Sequence, residues 1–177
     1  MNAFGSMGFA TRLRNAFAAG LLGTTVNTLV LEVAPLLHIN VGKGGLLQLF
    51  HRQVARRLPF LLPFVGRLGL KQPPTLAGFL WFHYVTGLAM ILVYFFVFAP
   101  CLDGSEWWKS SVFSIFPWLI NAAIVLPALG QGFAGVRLTP LSGTLYFFFA
   151  NWLFVVVSAL CYRAISSRHS KYFGRNQ

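Results

Sequence analysis

Apolar residues gather along this chain in four long stretches, and polar or charged residues collect in the shorter segments between them. The clearest stretch runs from Phe79 to Phe98, and nothing in it carries a charge at neutral pH unless His83 does. With Leu76 to Gly78 added, a helix rising ~1.5 Å per residue crosses a hydrocarbon layer of about 30 Å. The same pattern predicts spans at about 17–39, 76–99, 110–130 and 142–164. The expected fold is therefore an all-α polytopic membrane protein, a single membrane domain over 1–177 with four transmembrane helices and one interfacial helix.

The interfacial helix is read from the segment at about 44–66. Leu46, Leu47, Phe50, Val54 and Leu58 recur there at helical spacing, while Gln48, Arg52, Gln53 and Arg56 fall elsewhere on the wheel. A basic amphipathic helix of this kind lies in the plane of the interface. Arg52, Arg56 and Arg57 are then expected to touch lipid headgroups. Met1 to Asn15 reads as a short interfacial lead, and Cys101 to Lys109 as a tight polar turn with paired Trp at headgroup level. Ala19/Gly23 and Gly20/Thr24 set small residues four apart, a spacing that lets helix backbones approach closely in lipid.

Composition reinforces the membrane reading. Only 10% of residues are charged and 56% are hydrophobic, whereas soluble domains carry about 25% charged residues. The net charge of +11 flanks the spans instead of forming one face, which points to anionic lipid headgroups and away from nucleic acid. Two cysteines, Cys101 and Cys161, make neither a disulfide framework nor a metal motif. The first apolar run is too long for a cleaved signal peptide, and no small-residue cleavage site follows it.

Four spans put both termini on one face. Arg12, Arg14, Lys109, Arg163, Arg168, Lys171 and Arg175 lie on that face, and the remaining seven basic residues lie on the other. The usual excess that sets orientation is absent. We place the termini in the cytoplasm because the interfacial helix seats its arginines at headgroups. Cys101 and Cys161 would then be reduced thiols.

The informative residues are polar ones inside the spans. Counted from the face bearing the long loop, Glu32, His83, Asn121 and Asn151 all lie roughly 10–14 Å deep at ~1.5 Å per residue. One such residue per span at one depth suggests an intramembrane polar cluster. An ionised Glu32 at that depth costs at least roughly 2–3 kcal/mol, so it is expected to point inward and pair with His83. The bland alternative is that buried polar residues only hold the helices together, at about 0.6 kcal/mol each. No cofactor or metal is expected. A haem lacks a second His near that depth, and Glu32 with His83 alone is too small a metal ligand set.

Two patterns hint at duplication. His83 is followed by Tyr94 at the same interval as Asn151 by Tyr162, and Asn27 sits ahead of Pro35 much as Asn121 sits ahead of Pro127. Repeats of this kind place sites at their interface in transporters.

Trp81-Phe-His-Tyr-Val-Thr-Gly87, Pro117-Trp118 and Leu126-Pro-Ala-Leu-Gly-Gln-Gly-Phe-Ala-Gly135 together resemble small bacterial inner-membrane proteins of the YagU-like kind. The resemblance covers roughly residues 77–164. It implies a helical membrane architecture in a bacterial inner membrane and supplies no catalytic residue. The leading functional expectation is an accessory or structural subunit, without catalysis of its own, packed against a larger membrane assembly or further copies of itself. The alternative is a small transporter or proton-linked channel working through the Glu32, His83, Asn121 and Asn151 layer.

Overall fold

Prolines and short polar side chains set where the helices begin and end. The computed structural model describes residues 8–41, 44–70 and 74–173, the last six as backbone alone. Helix α1 spans Phe9–Val33 and tightens into a 3₁₀ turn, Ala34–Leu37, with Pro35 in its first turn. His38 closes that turn in the left-handed region at φ 55°, its N–H donating to the carbonyls of Ala34 and Pro35. Helix α2 is Gly45–Arg57 and α3 is Leu62–Arg67. Helix α4, Leu76–Cys101, starts where the Thr75 hydroxyl accepts the Gly78 N–H at 3.1 Å. Helix α5, Glu106–Ala128, starts where Ser105 accepts the Trp108 N–H at 3.2 Å. Both are side-chain caps, which satisfy otherwise orphaned donors. Helix α6 is Leu141–Phe173.

Among the described residues four helical segments are long and apolar enough to cross a membrane: Phe9–Leu37, Leu76–Cys101, Glu106–Ala128 and Leu141–Ser167. The chain is an all-α polytopic membrane protein. The first span starts earlier than its apolar run suggests, because Arg12 and Arg14 lie inside α1. Met1 to Met7 of the expected lead lie outside the described residues, but Phe9 to Asn15 are helix. The Arg12 guanidinium sits 5.3 Å from the centroid of Phe96, an arrangement that lets a basic side chain run along apolar surface.

Two single-turn π segments interrupt the spans, Tyr94–Phe98 in α4 and Asn121–Val125 in α5. They share a cause. Each ends two residues before a proline, Pro100 or Pro127, which has no N–H to give the carbonyl four residues back and whose ring crowds that carbonyl. The hydrogen-bond ladder slips instead, so Ala99 donates to Tyr94 and Leu126 to Asn121.

Three apolar clusters fill the interior. The largest holds Ile91, Tyr94, Phe95, Phe113, Val155 and Tyr162 toward the chain termini. A second, with Leu31, Ala34, Val41 and Ala150, joins α1 to α6 near the other face. The third packs Leu47 and Val54 of α2 against Val65, Leu70, Phe79 and Phe82. The amphipathic helix therefore buries Leu47 and Val54 of its apolar stripe against the chain itself, while Phe50 and Leu58 stay exposed.

Small residues draw α1 and α6 together. Ala16, Ala19, Gly20, Gly23 and Thr24 are buried on α1. A Cβ on Gly23 would stand 2.7 Å from the Phe154 carbonyl and collide with Ser158. Asn27 donates to the Ala150 carbonyl at 2.9 Å, and Asn15 to Ser166 at 3.3 Å. The small-residue spacing read from sequence is thus used within the chain, with Gly20 meeting Leu88 and Ile91 of α4. Helices α4 and α5 meet differently, mainly through the π segment Tyr94–Phe98. Tyr94 and Phe98 lie 5.1 and 4.9 Å from Phe113, and Phe98 lies 4.9 Å from Phe116.

Candidate functional site

A cavity of about 140 Å³ lies where the three clusters meet. Helix α1 contributes Thr24, Asn27 and Leu31, and α4 contributes Phe79, His83, Thr86 and Met90. Asn121 and Val125 come from the π segment of α5, and Phe147, Asn151 and Phe154 from α6. The first turn of α2, Gly45 to Leu47, roofs it on the face that carries the long loop. Gly45 fits there because even a Cβ would reach within 3.3 Å of Leu126.

The wall is uneven. Thr24, Asn27 and Leu31 are buried, whereas His83, Thr86 and Met90 are half-buried and Ile120 of α5 is 53% exposed. Ile120 is the exposed member of the described lining, and α4 and α5 meet mainly through the rings of Tyr94, Phe98, Phe113 and Phe116.

Its polar atoms are unequally occupied. The Asn27 amide is committed to Ala150. Asn151, which lines the cavity, donates its amide to the Phe147 carbonyl one turn back at 2.8 Å. His83 stacks almost parallel to Phe79, with ring centroids 6.1 Å apart and planes at 9°. Its Nε2 is buried and has no hydrogen-bond partner. Native interiors leave few such atoms.

Three of the four expected cluster residues, His83, Asn121 and Asn151, line this cavity. Glu32 does not. It is exposed on α1 and outside the cavity, so the inward-pointing carboxylate expected from its depth is corrected. The reason is angular. The inner stripe of α1 runs through Gly20, Gly23, Asn27, Leu31 and Ala34. Five residues beyond Asn27, at 3.6 per turn, Glu32 sits ~140° away round the helix. Asn27 holds the place instead, and the repeat pairing of Asn27 with Asn121 was the signal for it. The correspondence goes further. Leu31 and Val125, each four residues on from its Asn, both line the cavity, as do Phe79 and Phe147, four before His83 and Asn151. Tyr94 and Tyr162 both enter the large cluster, on either side of Phe95 at 4.9 and 4.2 Å.

Of the three arginines expected at headgroups, Arg52 has a protein partner, donating to the Ala128 carbonyl at 2.9 Å. It caps the end of α5 and ties α2 to the bundle. Arg56 and Arg57 are exposed at the outer end of α2. Cys101 and Cys161 are free thiols. Among the described residues no three His, Cys, Asp or Glu side chains come together. No family model, curated protein or solved structure matches the chain.

Proposed function

We propose that this chain is a small membrane carrier that holds a ring-sized solute inside its helix bundle. The observation that supports the reading is a cavity of about 140 Å³ lined by the His83, Asn121 and Asn151 side chains, with the unpartnered His83 Nε2 enclosed beside it. A cavity that stays empty forfeits the contacts its lining would otherwise make. An unpaired buried polar atom costs about 1–3 kcal/mol. An occupant fills the cavity, and once the His83 ring turns Nε2 toward it, the same occupant offsets both. The reading needs no intramembrane carboxylate, and proton coupling through Glu32 is not part of it. A bacterial inner membrane, cytoplasmic termini and anionic headgroups at Arg56 and Arg57 belong to the same proposal.

One observation favours a second reading, the accessory subunit. Contacts between α4 and α5 concentrate at the Tyr94–Phe98 end, and a helix from a larger assembly or a second copy of this chain would pack along the rest.

Toluene separates the two. In lipid nanodiscs, the methyl resonance of Met90, one of three methionines, should shift saturably with toluene while the other two do not. Thr86→Phe, which fills the cavity from its half-buried side, should abolish the shift. Absence of a shift in the wild type contradicts the carrier. A stoichiometric companion that copurifies and keeps toluene out establishes the subunit reading in its place.

A further inference from the structure

We infer that the occupant is uncharged, with a hydrogen-bonding group on a ring-sized apolar body, and that it enters sideways from the bilayer between α4 and α5. This rests on the carrier reading and narrows it to a class of ligand.

Charge is the first criterion. None of the described residues lining the cavity is an Asp, Glu, Lys or Arg. A charged occupant at this depth would lack a counter-ion, and buried charges persist only when paired.

Polarity is the second. Among the described residues no hydrogen bond to the Asn121 amide on the cavity wall is found, and His83 Nε2, enclosed and unpartnered, reaches an occupant when its ring turns. A neutral imidazole and an amide each offer both a donor and an acceptor. They match a hydroxyl group, which needs both. Phe79, Phe82 and Met90 of α4 and Phe154 of α6 add apolar surface around these groups. Size agrees, since an apolar cavity of about 150 Å³ takes a benzene ring.

Route is the third. The α1 wall is closed, the roof is the first turn of α2, and the exposed liner is Ile120 on the lipid-facing side of α5. A headgroup could therefore sit against His83 while a tail leaves through the seam. A free phenol-like solute and the phenol-like headgroup of a lipid share this chemistry.

The test uses the full chain in nanodiscs with phenol, toluene, benzoate and 4-dodecylphenol, read at the Met90 methyl. Counted by concentration in the bilayer, phenol should bind about tenfold more tightly than toluene, the effect of pairing a buried polar group. Benzoate should leave Met90 unmoved. In His83→Phe the preference for phenol over toluene should vanish, and Asn121→Leu should reduce it. Competition by 4-dodecylphenol assigns the occupant to a lipid-borne headgroup, and its exclusion while phenol binds assigns it to a free solute. Equal binding of phenol and toluene, or binding of benzoate as tight as phenol, overturns this inference and leaves the carrier standing. Failure of both neutral rings to bind overturns the two together.

Discussion

The α1–α6 seam and the α4–α5 seam belong to the same bundle, yet they are built from opposite kinds of side chain. Along α1–α6 the contact residues are Ala, Gly, Ser and Asn, and backbones approach until a Cβ on Gly23 no longer fits. Along α4–α5 they are Tyr94, Phe98, Phe113 and Phe116. In lipid there is little hydrophobic force to close a gap, so side-chain size sets how near two helices come. Small residues make a sealed wall and rings make a wedge. The side entrance that we infer lies on the wedged side.

The comparison breaks most readily at Gly23. Gly23→Leu should destabilise the bundle by about 3 kcal/mol, the upper part of the overpacking range, measured by unfolding in mixed detergent. A value under about 1 kcal/mol would mean that the closed seam yields easily. Gly143 is the next test. Its Cα faces the Asn40 carbonyl so closely that a Cβ would collide with backbone, and Gly143→Ala should cost roughly 2 kcal/mol in the same assay. Asn27→Leu removes the hydrogen bond to Ala150 and should cost only about 0.6 kcal/mol, the usual worth of such a bond between membrane helices. On the open side, Ile120→Val should change stability by less than about 0.5 kcal/mol, as expected for an exposed position. Glu32→Gln should leave toluene binding at Met90 unchanged, since Glu32 is not on the cavity wall.

Much of the fold could be read from the chain because lipid imposes simple rules. A run of apolar residues long enough to cross must be helix, and the four spans and the amphipathic α2 follow from that. The start of α1 was harder to see. Arg12 and Arg14 look like the edge of a span, but an arginine can lie along an apolar surface, as Arg12 does over Phe96. The site was half legible. Counting residues fixes depth, and depth placed His83, Asn121 and Asn151 together. It says nothing of angle, and Glu32 shared the depth on the wrong side of α1. The repeat carried the angular information, because it paired Asn27 with Asn121. The π segment presenting Asn121 and Val125 was signalled by Pro127, whose effect on the ladder depends on what the neighbouring helices accept.

The central claim is that the cavity is reached from the bilayer through the α4–α5 seam, and lipids carrying a nitroxide on the acyl chain test it directly. In nanodiscs containing such lipids, the Met90 and Thr86 methyl resonances should broaden strongly, while Ile91 and Val155, each fully buried, stay sharp. If Met90 and Thr86 are as protected as Val155, the seam is closed in the membrane and the side entrance does not exist.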